Sequence, residues 1–219
     1  MQFLMTNAEK KKSNILEATF SCIYEQGIAG MTMRSIAKKA KLFQPALYYY
    51  FKNKNILLTE FIRIMFDRMI YDVEKRYKDS DPAEQKLECI FEAGKDFFQK
   101  QKESFVVFVD CWSLCVRDQT LSKLLSELYK KFLKVFKNVI EEGKKAGVFN
   151  EVNEDAISVL IISFVQGISL LHWHMLDKEW SRKLIEDYAL FTSNLRGLIL
   201  RSPPNFDHKN NYLRGEKAS

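Results

Sequence analysis

The chain has 219 residues, 34 Lys and Arg against 28 Asp and Glu, and a formal charge of +6. That length builds a core without a disulfide or metal staple, and 47% hydrophobic with 28% charged residues excludes a disordered chain. With eight glycines and four prolines, and Pro82 alone between Pro45 and Pro203, the turns of a sandwich or barrel lack their punctuation, so an all-α fold of long helices is expected.

The charge is uneven. Residues 1–60 hold nine Lys and Arg against four Asp and Glu, whereas the remainder is almost balanced at 25 against 24. A basic amino-terminal quarter is what a polyanion-binding end looks like, and a solvated basic face is the alternative. Cys22, Cys89, Cys111 and Cys115 form no C-x-x-C pair, which fits reduced, buried thiols in a cytoplasmic protein. No secretory signal is expected from Phe3-Leu4-Met5, which is too short for an apolar core.

In chain order, the first helix is predicted over 7–26, with Ile15, Leu16, Thr19, Phe20 and Ile23 on one face and Gly27 as its stop. A short helix follows over 32–40, capped by Thr32, then a break at Lys41-Leu42-Phe43, then a third helix over 44–51 with Pro45 in its first turn. A long helix runs to about residue 77. Asp81-Pro82-Ala83-Glu84 reads as the clearest helix start, with Asp81 as cap, and the helix it opens reaches about residue 101. Further helices are predicted over 104–116, 119–146 (closed by Gly147), 153–176 (capped by Asn153) and 178–201, the last stopped by Pro203-Pro204. The polar tail over 203–219 is expected to be disordered.

The stretch 156–176 carries no charge over 21 residues, long enough to span a bilayer. Its Ser158, Ser163, Gln166, Gly167, Ser169, His172 and His174 load it with small and polar groups, and no basic cluster flanks it. A helix buried on two sides, against its own domain and a partner, is the preferred reading over a membrane span.

Residues 32–51 have the spacing of a helix-turn-helix, with small Ala37 at the crossing and Ile36, Leu42 and Leu47 as shared core. The outward face of the second helix is then Gln44, Ala46, Tyr48 and Tyr49, an amide, a methyl and two phenols suited to base edges and phosphates. Arg34 can reach guanine or phosphate, and Lys54 beside the next helix start makes a phosphate clamp. The segments Thr32-Met33-Arg34-Ser35-Ile36-Ala37-Lys38-Lys39-Ala40 and Gln44-Pro45-Ala46-Leu47-Tyr48-Tyr49-Tyr50-Phe51-Lys52-Asn53-Lys54 closely resemble the DNA-binding signature of the tetracycline-repressor (TetR) family. The resemblance implies a helix-turn-helix domain over 1–55 and a helical ligand-binding and dimerisation domain over 56–202. It implies a homodimeric repressor on double-stranded DNA, released by a small hydrophobic effector, with DNA contacts from Thr32, Arg34, Gln44, Pro45, Ala46, Tyr48, Tyr49 and Lys54. Two positions depart from the pattern. Lys41 stands where the family usually has Gly and must carry a positive φ, and Phe43 replaces the usual small polar cap of the recognition helix.

The remaining helices are rich in aromatics, open to reading as an effector pocket or as ordinary core. Phe98, Phe108, Trp112, Phe136 and Trp173, with the polar Ser113, Gln166, Ser169 and His172, are the pocket candidates. Leu160, Phe164, Ile168, Leu171, Tyr188, Leu195, Leu198 and Ile199 are the candidates for a four-helix dimer interface. No catalytic, metal-binding or cofactor motif is found. His172-x-His174 points to different sides of a helix, and there is no Gly-rich phosphate loop or nucleophile elbow. The rival reading is a helical lipid- or small-molecule-binding protein, or an enzyme, with a basic amino-terminal surface.

Overall fold

The computed structural model describes residues 6–175 and 177–201. The tail over 203–219 therefore lies outside the described residues. Within them the fold is all-α: α1 (Asn7–Gly30), α2 (Met33–Lys39), α3 (Gln44–Tyr50), α4 (Lys54–Glu74), α5 (Ala83–Lys100), α6 (Lys102–Arg117), α7 (Gln119–Lys145), α8 (Glu154–Leu170) and α9 (Lys178–Ile199).

Local chemistry sets most of the helix ends. Thr6 and Glu9 form a reciprocal capping box on α1, Asn53 caps α4, Asp118 caps α7, Asn153 caps α8 and Asp177 caps α9, each supplying an oxygen to otherwise orphan amides. Gly147, at φ +72, ends α7 as expected. One expected cap is different. The Asp81 carboxylate accepts from the Lys78 amide at 2.8 Å, and α5 starts from Pro82 with no side-chain cap. The acid closes the preceding turn instead of opening the helix.

Two helices depart from their predicted course. α1 continues past Gly27 (φ +67) to Gly30, a kink that a stop signal read locally cannot distinguish from an end. The uncharged segment is α-helical only to Leu170 and continues as a π-turn over Leu171–Met175.

Packing joins these helices into one body. The buried faces of α1 to α4 share a hydrophobic cluster with α5 to α8, from Ile15 and Leu47 through Phe66 to Phe108 and Phe136. α4 packs on α7, α5 lies against α7, α8 and α9, and α6 packs on both α7 and α1. The expected domain division at residue 55 falls in the first turn of α4, so one continuous helix belongs to both sides. Gly94 lets α5 approach closely: a Cβ there would stand 2.7 Å from Val165 on α8 and 2.9 Å from the Tyr188 hydroxyl on α9. That hydroxyl donates to the Phe91 carbonyl at 2.5 Å. The four cysteines are free thiols, and burial pushes Cys115 up to about 11, so it stays protonated.

Candidate nucleic-acid interface and effector cavity

The helix-turn-helix is built by two linked caps. Thr32 Oγ1 accepts from the Ser35 amide at 3.0 Å while Ser35 Oγ accepts from the Thr32 amide at 3.0 Å, which starts α2. At its other end the Leu42 amide donates to Ala37 O (2.9 Å) and the Lys41 amide to Lys38 O (3.2 Å). This is the Schellman pattern, and its left-handed residue is Lys41, at φ +56, where glycine would carry no Cβ penalty. Ile36, Ala37 and Leu47 are buried and Leu42 is packed against them, so the expected shared core is present. Asn14 ties α1 to the end of α2 through a 2.9 Å bond to Ala40 O.

With Leu47 turned inward, α3 presents its other side to solvent. Gln44, Pro45, Tyr48 and Tyr49 are exposed, Tyr49 at 85%, while Ala46 is half-buried. The Tyr50 ring meets Tyr49 edge-on at 5.3 Å and is half-buried scaffold. Arg34, Lys38, Lys41 and Lys52, which precede and follow α3 along the chain, are all exposed, and residues 26–59 contain no Asp or Glu. The exposure of Phe43, at 88%, is beyond what its place in the motif signals.

Lys54 has an unforeseen duty. Its Nζ donates to Ile28 O at 2.8 Å and Met31 O at 2.7 Å, covering carbonyls left open where α1 ends. Burial pushes its pKa below the usual lysine value. A phosphate clamp at this position has one ammonium hydrogen left to use.

The pocket candidates separate into three groups. Phe108, Phe136 and Gln166 line an inner chamber together with Phe97, Phe132 and Val165, and Gln166 donates from Nε2 to Tyr129 Oη at 2.7 Å. Phe98, Ser169, His172 and Trp173 do not line it. Phe98 sits with Ile168 and Tyr188 in a separate buried cluster, Ser169 returns its hydroxyl to Val165 O, and the His172 ring stands between Phe98 and Trp173. Trp112 and Ser113 are exposed on α6. A run of apolar residues hides which way each side chain turns, so composition alone mixes chamber, core and surface.

The inner chamber has a volume of about 70 Å³, far below the roughly 300–1,000 Å³ of drug-sized ligand sites. It adjoins a cleft of about 430 Å³ between α1, α4 and the start of α6. Met69, Asp72, Phe97, Gln101 and Phe108 line both. Leu16, Glu17 and Phe20 of α1 form the far wall of the cleft. Arg76, at the chamber, is paired with Asp96 at 2.8 Å, and hydrogen bonds from Lys100 and Arg76 hold the Asp96 carboxyl below the usual range.

The interface candidates also divide. Leu160, Leu171 and Leu198 are exposed and Phe164 is half-buried, whereas Ile168, Tyr188, Leu195 and Ile199 are buried within the chain. The last four are corrected to core residues. Val159, Leu170 and Leu190 join the exposed apolar set, and nothing stands near Gly167 or Gly197. The segment Glu154–Trp173 is long and apolar enough to cross a membrane, but only 33% of it is buried within this chain.

Comparison with known proteins agrees with this geometry. Residues 15–61 match the family described as bacterial regulatory proteins, tetR family, and residues 83–199 match the carboxy-terminal region of BetI-type transcriptional repressors. The fatty acid metabolism regulator protein of Bacillus subtilis is 23% identical over 85% of this chain and 95% of its own. The transcriptional regulator BetI of Vibrio vulnificus is 23% identical over 81% and 90%. Among solved structures, a TetR transcription regulator from Haloarcula marismortui superposes with a TM-score of 0.75 at 19% identity, covering 88% of this chain and 99% of its own. A transcriptional regulator from Saccharomonospora viridis in complex with choline gives 0.70 at 17%, covering 88% and 99%.

Proposed function

Because the chain belongs to the tetR family of bacterial regulatory proteins, a DNA-binding transcriptional regulator and not an enzyme, we propose that it is a cytoplasmic homodimeric repressor of a pseudo-palindromic operator. The observation that carries this reading is the outward side of α3, solvent-exposed and flanked along the chain by exposed cations in a stretch without a single acid. Two copies of α3 enter successive major grooves roughly 34–36 Å apart. Arg34, Gln44, Pro45, Ala46, Tyr48 and Tyr49 meet bases and phosphates, Thr32 fixes the start of α2, and Lys54 holds the end of α1 from behind.

The second copy covers the exposed apolar stripe of α8 and α9. Leu160, Phe164, Leu171 and Leu198 are its centre, with the small Gly167 and Gly197 allowing close approach. This accounts for the apolar length of α8 without a bilayer.

The effector is an elongated, largely apolar molecule. The chamber is too small to hold a ligand by itself, so its tail fills the chamber and the rest follows the shared wall into the cleft against α1. Such a ligand touches α1, α4 and α6 at once and favours a different spacing of the two recognition helices. Only its difference in affinity between the two spacings drives release. The likeness to a fatty acid metabolism regulator supports an acyl chain as the first class to try.

Footprinting on the DNA upstream of the gene tests the regulator, and a protected inverted repeat is expected. Correctly assembled dimer that protects nothing there or elsewhere in the genome overturns it. Thermal shift with acyl compounds of graded length, against choline and flavonoids, tests the effector. Stabilisation that rises with chain length supports the two-part cavity, and a response to choline alone overturns it.

A further inference from the structure

Phe43 is the least buried large apolar residue described, at 88% exposure. It stands at the N-cap of α3, where its side chain offers no oxygen to the helix amides. Neither folding nor capping accounts for a phenyl ring there. Pro45, Tyr48 and Tyr49 of the same helix are exposed too, and Gln44 and the two tyrosine hydroxyls are its exposed hydrogen-bonding groups.

Charge argues for the occupant of this ring. Arg34, Lys38, Lys41 and Lys52, close to it along the chain, are exposed, and no acid lies within residues 26–59, which suits duplex DNA. In a major groove, the apolar group a side chain can meet is the 5-methyl of thymine. We propose that Phe43 seats its ring against a thymine 5-methyl in each half-site, so that part of the operator is read by methyl burial and not by hydrogen bonds. The proposal rests on the DNA-binding reading above. It assigns a base-reading role to a residue at the position where the family signature has a small polar cap.

The test uses the full-length dimer and an operator enriched from a random duplex library. Thymines are exchanged one at a time, in both half-sites, for uracil, which lacks only the methyl. One position is expected to weaken wild-type binding about four-fold per half-site, on the order of fifteen-fold for both. Phe43→Ala and Phe43→Ser should bind the unmodified operator more weakly by a similar factor, bind random DNA as before, and ignore the uracil exchange. Phe43→Ser also restores a capping hydroxyl, so a merely structural role would leave it as good as wild type, and that result overturns the proposal. Uracil sensitivity at that position that survives in both variants, or is absent from wild type at every thymine, overturns it as well. If no inverted repeat is enriched, the DNA-binding reading falls and takes this one with it.

Discussion

The backbone amide of Ile28 donates to the carboxylate of Asp110 at 3.2 Å, joining residues 82 positions apart. Ile28 follows the kink at Gly27 in α1, and Asp110 lies in the middle of α6. The helix that packs behind α2 and α3 is therefore held, at its one irregular point, by a helix that walls the cavity proposed for the effector. On the proposed mechanism, a ligand that shifts α6 would pull on α1 through this bond.

Asp110→Ala should leave that amide unsatisfied and lower stability by about 1–3 kcal/mol. Asp110→Asn keeps an acceptor and should cost less. The check is chemical denaturation of both variants, together with operator affinity with and without effector. If Asp110→Ala responds to effector as wild type does, the bond is a brace and not a link.

Lys54 predicts a mixed effect. Lys54→Met exposes Ile28 O and Met31 O to loss of their partner and should lower the melting temperature. If the third hydrogen reaches a phosphate, the slope of log affinity against log salt should also fall by about one unit. An unchanged slope with a lowered melting temperature assigns the residue to the carbonyls alone.

Arg34→Ala and Gln44→Ala should each cost about 1–3 kcal/mol on the operator and relax base preference at one position. Affinity for random DNA measured alongside is the control. Equal weakening on both kinds of DNA would make these backbone contacts.

The assembly prediction turns on three leucines of similar sequence context. Leu160→Glu and Leu198→Glu, at exposed positions, should give folded monomers by sedimentation. Leu195 is 4% exposed, so Leu195→Ala should instead cost about 2–5 kcal/mol of stability and leave the dimer intact in whatever remains folded. A dimer that survives both glutamates moves the interface elsewhere.

Much of the recognition unit is legible in the sequence because its signals are local. Thr32 caps within three residues, and the positive φ of Lys41 follows from its standing where the family pattern has Gly. Leu47 is the one branched aliphatic side chain in α3 and turns inward with Ile36 and Ala37. In the larger region the courses of α5 and α7 are legible because apolar residues recur on one side of each, though Asp81 does not cap α5 and Phe98 on it is core. α8 was not, because an apolar residue stands on nearly every side of it, and Ile168 and Leu171 look alike until their neighbours are known.

The amino-acid sequence by itself determined the all-α class, the helix-turn-helix and the basic character of its surface, since caps, turns and charge act between residues close along the chain. The tertiary structure alone decided that Lys54 faces carbonyls, that Asp110 grips α1, that Phe98 is core while Phe97 lines a cavity, and that Leu198 is exposed while Leu195 is not. Each of these depends on which distant helix arrives at a given face. The direction of approach is set by the packing of whole helices, a quantity that no short window of residues contains.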